Sequence, residues 1–439
     1  MRNRAWTLFQ RVTCMRFTVS GPILFLIIFG ISGFISCTLY NPLLEFLIDN
    51  SYGFSNDIES EYTIAGLEAT TTFHKFDMSK PKNNGPRGAL KIIGKVPLIV
   101  GWNKFHKRPL SWMFDRLKLC EYRCDYSDDR RNASLADVLI IHGGTLHSLP
   151  PKKKHQKIVF FMRESPGREW KGFYRHWHQV PMKFFDVTMT YHRRANYWER
   201  YFTMDPIESS EDPHWTDSEV DEAISRKTHG SFFLASHCNA GSKRDQIVRQ
   251  LNQYHEVSIF GKCDGASPCD FDCEQEVVDT THFYLALENS VCTDYITEKF
   301  YRFKRLIVPI TFKREIVSGM VPDDAFIAVD DFCSLEELGK YLNWLMANKK
   351  EYKRYFNWSK LYRNDYRMSD SICDMCEDLV FNRLKTTKYN NYRTISSWMP
   401  RSQCSKRFGG KMLENRCANI TEPSKNPLLI HYYSAMKKN

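Results

Sequence analysis

The chain has 439 residues, 42% hydrophobic and 14% aromatic, and its 62 Lys and Arg against 51 Asp and Glu give a formal charge of +11. That length can hold more than one domain with a sizeable core, and so many aromatics exclude a disordered chain. The modest positive excess comes with no RNA- or DNA-binding module pattern, which excludes nucleic acid as an expected partner.

No residue from Thr18 to Leu44 is charged; Arg2, Arg4, Arg11 and Arg16 precede this run, and Glu45 and Asp49 follow it. It exceeds the about 7–15-residue apolar core of a cleaved signal peptide and is long enough to cross a bilayer. The arginine bias predicts a cytosolic tail (1–16), an uncleaved signal anchor (17–40) and a lumenal remainder, the layout of a single-pass type II membrane protein. Residues 41–94 are polar and include "SKPKNNGPRG", so they read as a stem.

Two αβ-patterned regions follow. The first, 95–205, carries the strand-like runs "VPLIVGW", "ADVLIIHGG", "KIVFFMRES" and "FFDVTMTYH"; the second, 226–385, carries "SFFLASHCN", "VSIFGK", "HFYLALE", "RLIVPIT" and "AFIAVDD". Continuous apolar strands alternating with amphipathic stretches such as "SKRDQIVRQLNQY" predict parallel sheets covered on both faces. The acidic, Pro-containing stretch "MDPIESSEDPHWTDSE" places a linker at 206–225. The fold class is therefore α/β, with two open domains and a cleft suited to a nucleotide. "SLEELGKYLNWLMANKKEYKRYFNW" reads as an amphipathic helix pair, and 386–439 as a tail.

Twelve of the 14 cysteines lie beyond the apolar run, and an oxidising lumen makes disulfides the expectation over zinc. Asn132, Asn357 and Asn419 stand in N-x-S/T sequons and are candidate glycan acceptors.

No G-x-G-x-x-G, P-loop or G-x-S-x-G pattern occurs, which removes the main support for dinucleotide redox, P-loop phosphoryl transfer and a serine elbow. The two acids of "VDD" at 329–331 read as a solvated turn at a strand end. In "ENSVCTDYITEKFYRFK", Asp294 is placed to cap a helix with Ile296, Phe300 and Phe303 on its apolar face. A helix beginning just past a buried strand presents free N–H groups to an anion. Glu298 and Lys299 would stand at that helix start.

"HFYLALENSVCTDYITEKFYR" closely resembles the signature of the α1,3/α1,4-fucosyltransferases, glycosyltransferase family 10. "RESP", "VTMTY", "SHCNAGSKRDQ", "VPDDAFIAVDDF", "YFNW" and "CDMC" match in the same order over about residues 95–385. The resemblance implies a GT-B-like pair of Rossmann-like domains: an acceptor-side domain at 95–205 and a GDP-fucose-binding domain at 226–385. It further implies a Golgi location and transfer of L-fucose, with inversion, to the 3-hydroxyl of GlcNAc in glycoconjugates. Glu164 matches the family's general base. Arg244 and Lys299 match its diphosphate-binding cations, and an arginine fork can take two phosphate oxygens at once. Glu298 is implied to accept ribose or fucose hydroxyls, Tyr295 to pack by the nucleotide, and Glu288 and Asn289 to order the loop within reach of the donor. Cys120 and Cys124 match the cysteines that pair with the C-x-x-C at Cys373 and Cys376.

No cofactor or resident metal is required on this reading, although the resemblance allows stimulation by Mn2+. Two segments depart from the family pattern. "HRRAN" (192–196) stands where R-R-D-S-D is usual, and "RLIVPITFK" (305–313) replaces a glycine-flanked G-x-V-P-V-V-x-G. A relative that binds sugar or nucleotide without turnover is the competing expectation, and a transferase using another sugar nucleotide is a third.

Overall fold

The structure, a computed structural model, describes residues 90–386 except 106, 147, 167–179, 182–183, 203, 209, 211, 264, 302–305 and 364–370, together with 404–405, 408–414 and 426–436. The apolar run 17–40, most of the stem and the sequon residue Asn419 fall outside the described residues. Among those described, no helix is long and apolar enough to cross a membrane.

In chain order, the strands of the first half are β1 (Leu98–Gly101), β2 (Asp125–Ser127), β3 (Val138–His142), β4 (Lys157–Met162), β5 (Val187–Thr190), β6 (Tyr197–Trp198) and β7 (Asp205–Pro206). Those of the second are β8 (His229–Ala235), β9 (Val257–Gly261), β10 (Thr281–Leu285), β11 (Val308–Thr311), β12 (Ile327–Ala328) and β13 (Tyr362–Arg363). β1–β6 form a parallel sheet in the order β2-β1-β3-β4-β5-β6, and β8–β12 a second one in the order β12-β11-β10-β8-β9. Every residue of β3 and β10 is buried, as the unbroken apolar runs predict for strands covered on both faces. The short β2 and β6 carry no periodic signal and escape the sequence reading, as does the antiparallel β7–β13 pair.

Three helices cover the second sheet or its approach: α1 (Asp217–Arg226), α2 (Arg244–Leu251) and α3 (Phe271–Thr280). α4 (Glu298–Tyr301) follows β10, and α5 (Leu335–Ala347) and α6 (Ser371–Val380) come later. α1 lies inside the stretch read as a linker. The Thr216 hydroxyl accepts the Glu219 N–H and the Glu219 carboxylate accepts the Thr216 N–H, a capping box that starts the helix despite the acidic surroundings. Val220, Ala223 and Ile224 are its buried stripe. α5 buries Leu338, Tyr341, Leu342 and Leu345 at helical spacing, each such side chain contributing roughly 1.5–3 kcal/mol.

α6 returns to the first sheet, although its sequence position falls in the second region. Ile372, Met375 and Cys376 join the cluster of Ile99, Ile140, Phe161 and Val187, and Tyr197 donates a hydrogen bond to Asp378 at 2.9 Å. Two disulfides fix this return, Cys120–Cys373 and Cys124–Cys376; the resemblance joined these two sets of cysteines without saying which bonds to which. Cys238–Cys263, Cys269–Cys273 and Cys292–Cys404 are bonded as well. The stretch read as a tail also packs. Phe408 and Met412 are buried, Phe312 meets Phe408 edge to face, and Tyr432 sits against Tyr341 and Trp344. The acids of "VDD" are not solvated. Asp330 accepts the Arg314 N–H and Asp331 takes the buried Arg314 guanidinium through two bonds of 2.7 Å, because Arg314 is buried there and needs an anion.

Candidate active site

β4 ends at Met162, and the next three residues leave the sheet as Arg163-Glu164-Ser165. A buried charge cluster sets that exit. Glu199, fully buried, lies 3.3 Å from Arg116 and 3.9 Å from Arg163 and accepts the Ser371 hydroxyl. The Arg163 guanidinium rests 4.0 Å over the Tyr201 ring, and the Tyr201 hydroxyl donates to the Arg163 carbonyl at 3.0 Å. Burial, with the neighbouring Glu164 carboxylate, pushes the Tyr201 hydroxyl well above its ordinary pKa, so it stays a donor. Glu164 emerges half-buried, and its Oε2 accepts the Tyr295 hydroxyl at 2.8 Å. Tyr295 belongs to the loop after β10. A carboxylate from the first sheet thus meets the signature loop of the second.

In that loop the buried Glu288 accepts the Thr297 N–H at 2.8 Å and the Thr297 hydroxyl at 2.7 Å. Lys299 Nζ lies 3.3 Å from Glu288, 2.9 Å from Glu298 and 3.0 Å from the Thr297 hydroxyl. Burial alone would lower the Lys299 pKa; Glu288 and Glu298 outweigh it and hold the ammonium charged, above the ordinary lysine range. Burial pushes Glu288 up against the pull of Lys299. For Glu298 burial is outweighed by Lys299, which keeps it ionised. The result is a cation held between two carboxylates, one deep and one near solvent.

Arg244, the first residue of α2, is buried, and its fork is engaged with protein. Nη1 donates to the Leu287 carbonyl at 2.9 Å and Nη2 to the His237 carbonyl at 2.7 Å, while the buried Nε has no hydrogen-bond partner. Both terminal nitrogens expected for two phosphate oxygens therefore brace backbone. The cause is local: Ser242 donates through its N–H to Asn289 and through its hydroxyl to the Glu288 carbonyl, drawing the 236–243 loop onto the exit of β10. Asn289 joins this seam by its backbone, and its buried Oδ1 has no partner.

One expectation needs correcting. Asp294 does not cap α4, which begins at Glu298; it has φ +60° and its carboxylate is taken by Arg193. Phe303 lies outside the described residues. Tyr295 is buried, with its hydroxyl on Glu164 and its ring edge-on to Tyr191 at 5.0 Å, because the Tyr191 segment of the first sheet closes over it.

A small cleft opens at the carboxyl ends of β10 and β11, lined among others by Glu288, Ser290, Tyr295, Thr311 and Lys313, where open parallel sheets take ligands. Thr311, whose buried hydroxyl has no partner, was not singled out from sequence; it falls in the "RLIVPITFK" departure, which was the available signal. Thr297 was likewise missed, since a lone threonine beside an acid gives no cue. Among the described residues no group of three or more His, Cys, Asp or Glu is arranged to hold a metal ion. Of the sequons, Asn357 is exposed and Asn132, half-buried, donates to the Ser127 hydroxyl at 3.0 Å.

Two family models match the chain and together span more than half of it: "Fucosyltransferase, N-terminal" over residues 94–202 and "Glycosyltransferase family 10 (fucosyltransferase) C-term" over residues 224–398. The chain is 32% identical over 289 residues to Alpha-(1,3)-fucosyltransferase fut-1 of Caenorhabditis elegans, covering 64% of this chain and 61% of that one, under two thirds of the relative's length. It is 29% identical to Alpha-(1,3)-fucosyltransferase C of Drosophila melanogaster, covering 70% and 79% respectively. It is 26% identical to the human 4-galactosyl-N-acetylglucosaminide 3-alpha-L-fucosyltransferase FUT6, covering 69% and 83%. Among solved structures, a crystal structure of alpha1,3-fucosyltransferase superposes with a TM-score of 0.47 at 15% identity, over 72% of this chain and 95% of that one.

Proposed function

Because the chain belongs to glycosyltransferase family 10, the fucosyltransferases, we propose that it transfers L-fucose from GDP-fucose to the 3-hydroxyl of GlcNAc in glycoconjugates, with inversion at the sugar C1. The observation that carries this reading is the 2.8 Å hydrogen bond from Tyr295 to Glu164, which sets the first sheet's carboxylate beside the second sheet's charged loop. Glu164 takes the proton of the acceptor hydroxyl as its oxygen attacks C1 from the face opposite the diphosphate. The bond from C1 to the phosphate oxygen breaks, and GDP leaves carrying the electron pair. Lys299, held protonated, is the positive group offered to the departing diphosphate, and the buried Arg244 guanidinium adds its charge from within the protein. Glu298, half-exposed, receives donor hydroxyls, and Glu288 keeps Lys299 in place.

This assignment asks for no resident metal, since the neutralising charge comes from side chains; added Mn2+ is expected to change the rate by no more than a modest factor. The apolar run 17–40 with its flanking arginines supports anchoring in the Golgi membrane, with the catalytic region lumenal.

The test is incubation of the purified protein with GDP-fucose and a panel of GlcNAc-containing glycans. Product from wild type, and at least a 10²-fold loss in Glu164→Gln with GDP binding retained, is the expected result. Tight GDP binding with no transfer to any acceptor would instead make the chain a sugar- or nucleotide-binding relative. Stronger thermal protection by UDP than by GDP would point to another donor.

A further inference from the structure

We propose that Arg193 and Asp294 form a clasp between the two sheets that acts through Tyr295 to position Glu164, a role resting on the fucosyl-transfer reading above. Arg193 follows β5 of the first sheet, and Asp294 lies in the loop after β10 of the second. The Asp294 carboxylate is almost wholly buried and receives two bonds from the same residue: Arg193 N–H to Oδ2 at 3.0 Å and Arg193 Nε to Oδ1 at 2.7 Å. One donor is backbone, so the pair fixes the path of the chain at 193 as well as a side chain. Charge-assisted bonds of this kind are the strong ones.

Asp294 adopts φ +60°, a region that side-chain-bearing residues other than Asn and Asp rarely enter. Such a backbone persists where its surroundings over-determine it, and here the constraint comes from the other sheet. Gly319, at φ +79°, makes room for the guanidinium: a Cβ there would stand 3.3 Å from Arg193 Nη1. His192 Nδ1 is 3.3 Å from the same carboxylate but accepts the Arg194 N–H at 3.1 Å, so Arg193 is the cation of the clasp.

The next residue transmits the constraint. Tyr295 places its ring edge-on to Tyr191, two residues before Arg193, and its hydroxyl on Glu164. Consecutive residues of one loop therefore grip a three-residue segment of the other sheet and orient the carboxylate beyond it. The far side of the loop is tied down by Cys292–Cys404 and by the Ser405 N–H on the Val291 carbonyl. Arg193, Asp294 and Tyr295 are positioning residues in this scheme, since Glu164 alone faces the acceptor.

The test uses the full-length chain in detergent, with Arg193→Ala, Arg193→Lys, Asp294→Asn and Tyr295→Phe. Arg193→Ala and Asp294→Asn should each lower kcat about tenfold or more with the donor KM within about twofold, and Arg193→Lys should recover most of the loss. On top of Tyr295→Phe, Arg193→Ala should cost less than about twofold further, because both act on one contact. Wild-type kcat in Arg193→Ala, or a fully multiplicative loss in the double variant, overturns the proposal. Amide hydrogen exchange over 288–297 gives a readout independent of turnover: faster exchange in Arg193→Ala supports the clasp and unchanged exchange refutes it. Should wild type transfer no fucose, the transfer reading fails, and the exchange data still decide whether the clasp exists. If Arg193→Ala does not fold, Asp294→Asn, which keeps the shape and tolerates positive φ, carries the same tests.

Discussion

Lys299 joins a chemical role to a structural one. In the proposed reaction it is offered to the departing diphosphate, and in the fold it neutralises Glu288, which is buried and accepts two bonds from Thr297. Removing one partner of a buried pair strands the other charge, at roughly 3 kcal/mol or more when fully enclosed; Lys299 retains 23% side-chain exposure, so about 2 kcal/mol is expected here. Lys299→Met should therefore lower both the denaturation midpoint and transfer, the latter by about 10²–10³-fold. Adding Glu288→Gln should restore stability without restoring transfer. Denaturant titration and rate assays on the single and double variants separate the two roles; recovery of activity in the double variant would show that Lys299 serves only to neutralise Glu288.

At the scale of elements, close packing at the start of α2 decides how tightly the 236–243 loop is held. Gly409, in the helix Phe408–Leu413, lies so close that an added Cβ would stand 2.1 Å from the Ser242 carbonyl. Gly409→Ala must push that backbone aside, and Ser242 is the residue that ties the loop to Glu288 and Asn289. Isothermal titration should show GDP binding weakened by about tenfold, since overpacking costs typically about 1–3 kcal/mol and the displaced Ser242 is bonded to Glu288, which lines the cleft. Thr216→Ala, by contrast, removes a capping box remote from the charged loop. It should lower stability by about 1 kcal/mol while leaving donor KM unchanged.

The whole molecule is closed by its C-terminal return. Cys120–Cys373 spans 253 residues, and loop-closure entropy gives such a bridge about 5 kcal/mol. Cys124–Cys376 lies so near that it closes only a small additional ring, worth roughly 2 kcal/mol on the same basis. Cys376→Ser alone should thus be mild, and the Cys373→Ser/Cys376→Ser pair severe, in thermal melts of the purified protein. A second whole-molecule property is pH dependence. Burial pushes Lys227 from its ordinary 10.5 to about 7, where it donates to the Val278 and Thr281 carbonyls. Between about 7 and 10.5 the unfolded chain then holds more protons at this residue than the folded one, so its contribution to stability rises with pH across that window. Comparing wild type with Lys227→Met at pH 7 and pH 10, the difference should shift in favour of wild type at the higher pH. A pH-independent difference would show that the folded chain keeps this amine protonated across the window, with no lowering of its pKa.

The strand runs, the disulfide-forming character of the cysteines and the signature segment were legible in the sequence because each is local. An apolar run of five to seven residues such as "HFYLALE" declares a buried strand by composition alone, and an ordered set of motifs declares a family. What Arg244, Asp294 and Tyr295 do was decided only by tertiary structure. Their partners are the carbonyls of His237 and Leu287, the backbone and side chain of Arg193, and Glu164, the last 131 positions away. The same is true of α6, whose amphipathic stripe announces a buried face but not which sheet will cover it. Side-chain periodicity fixes what must be buried, whereas the partner of a hydrogen bond or charge depends on where distant segments come to rest. Chain pattern therefore specified the two sheets and the residues worth suspecting, and folding specified which of those residues touch.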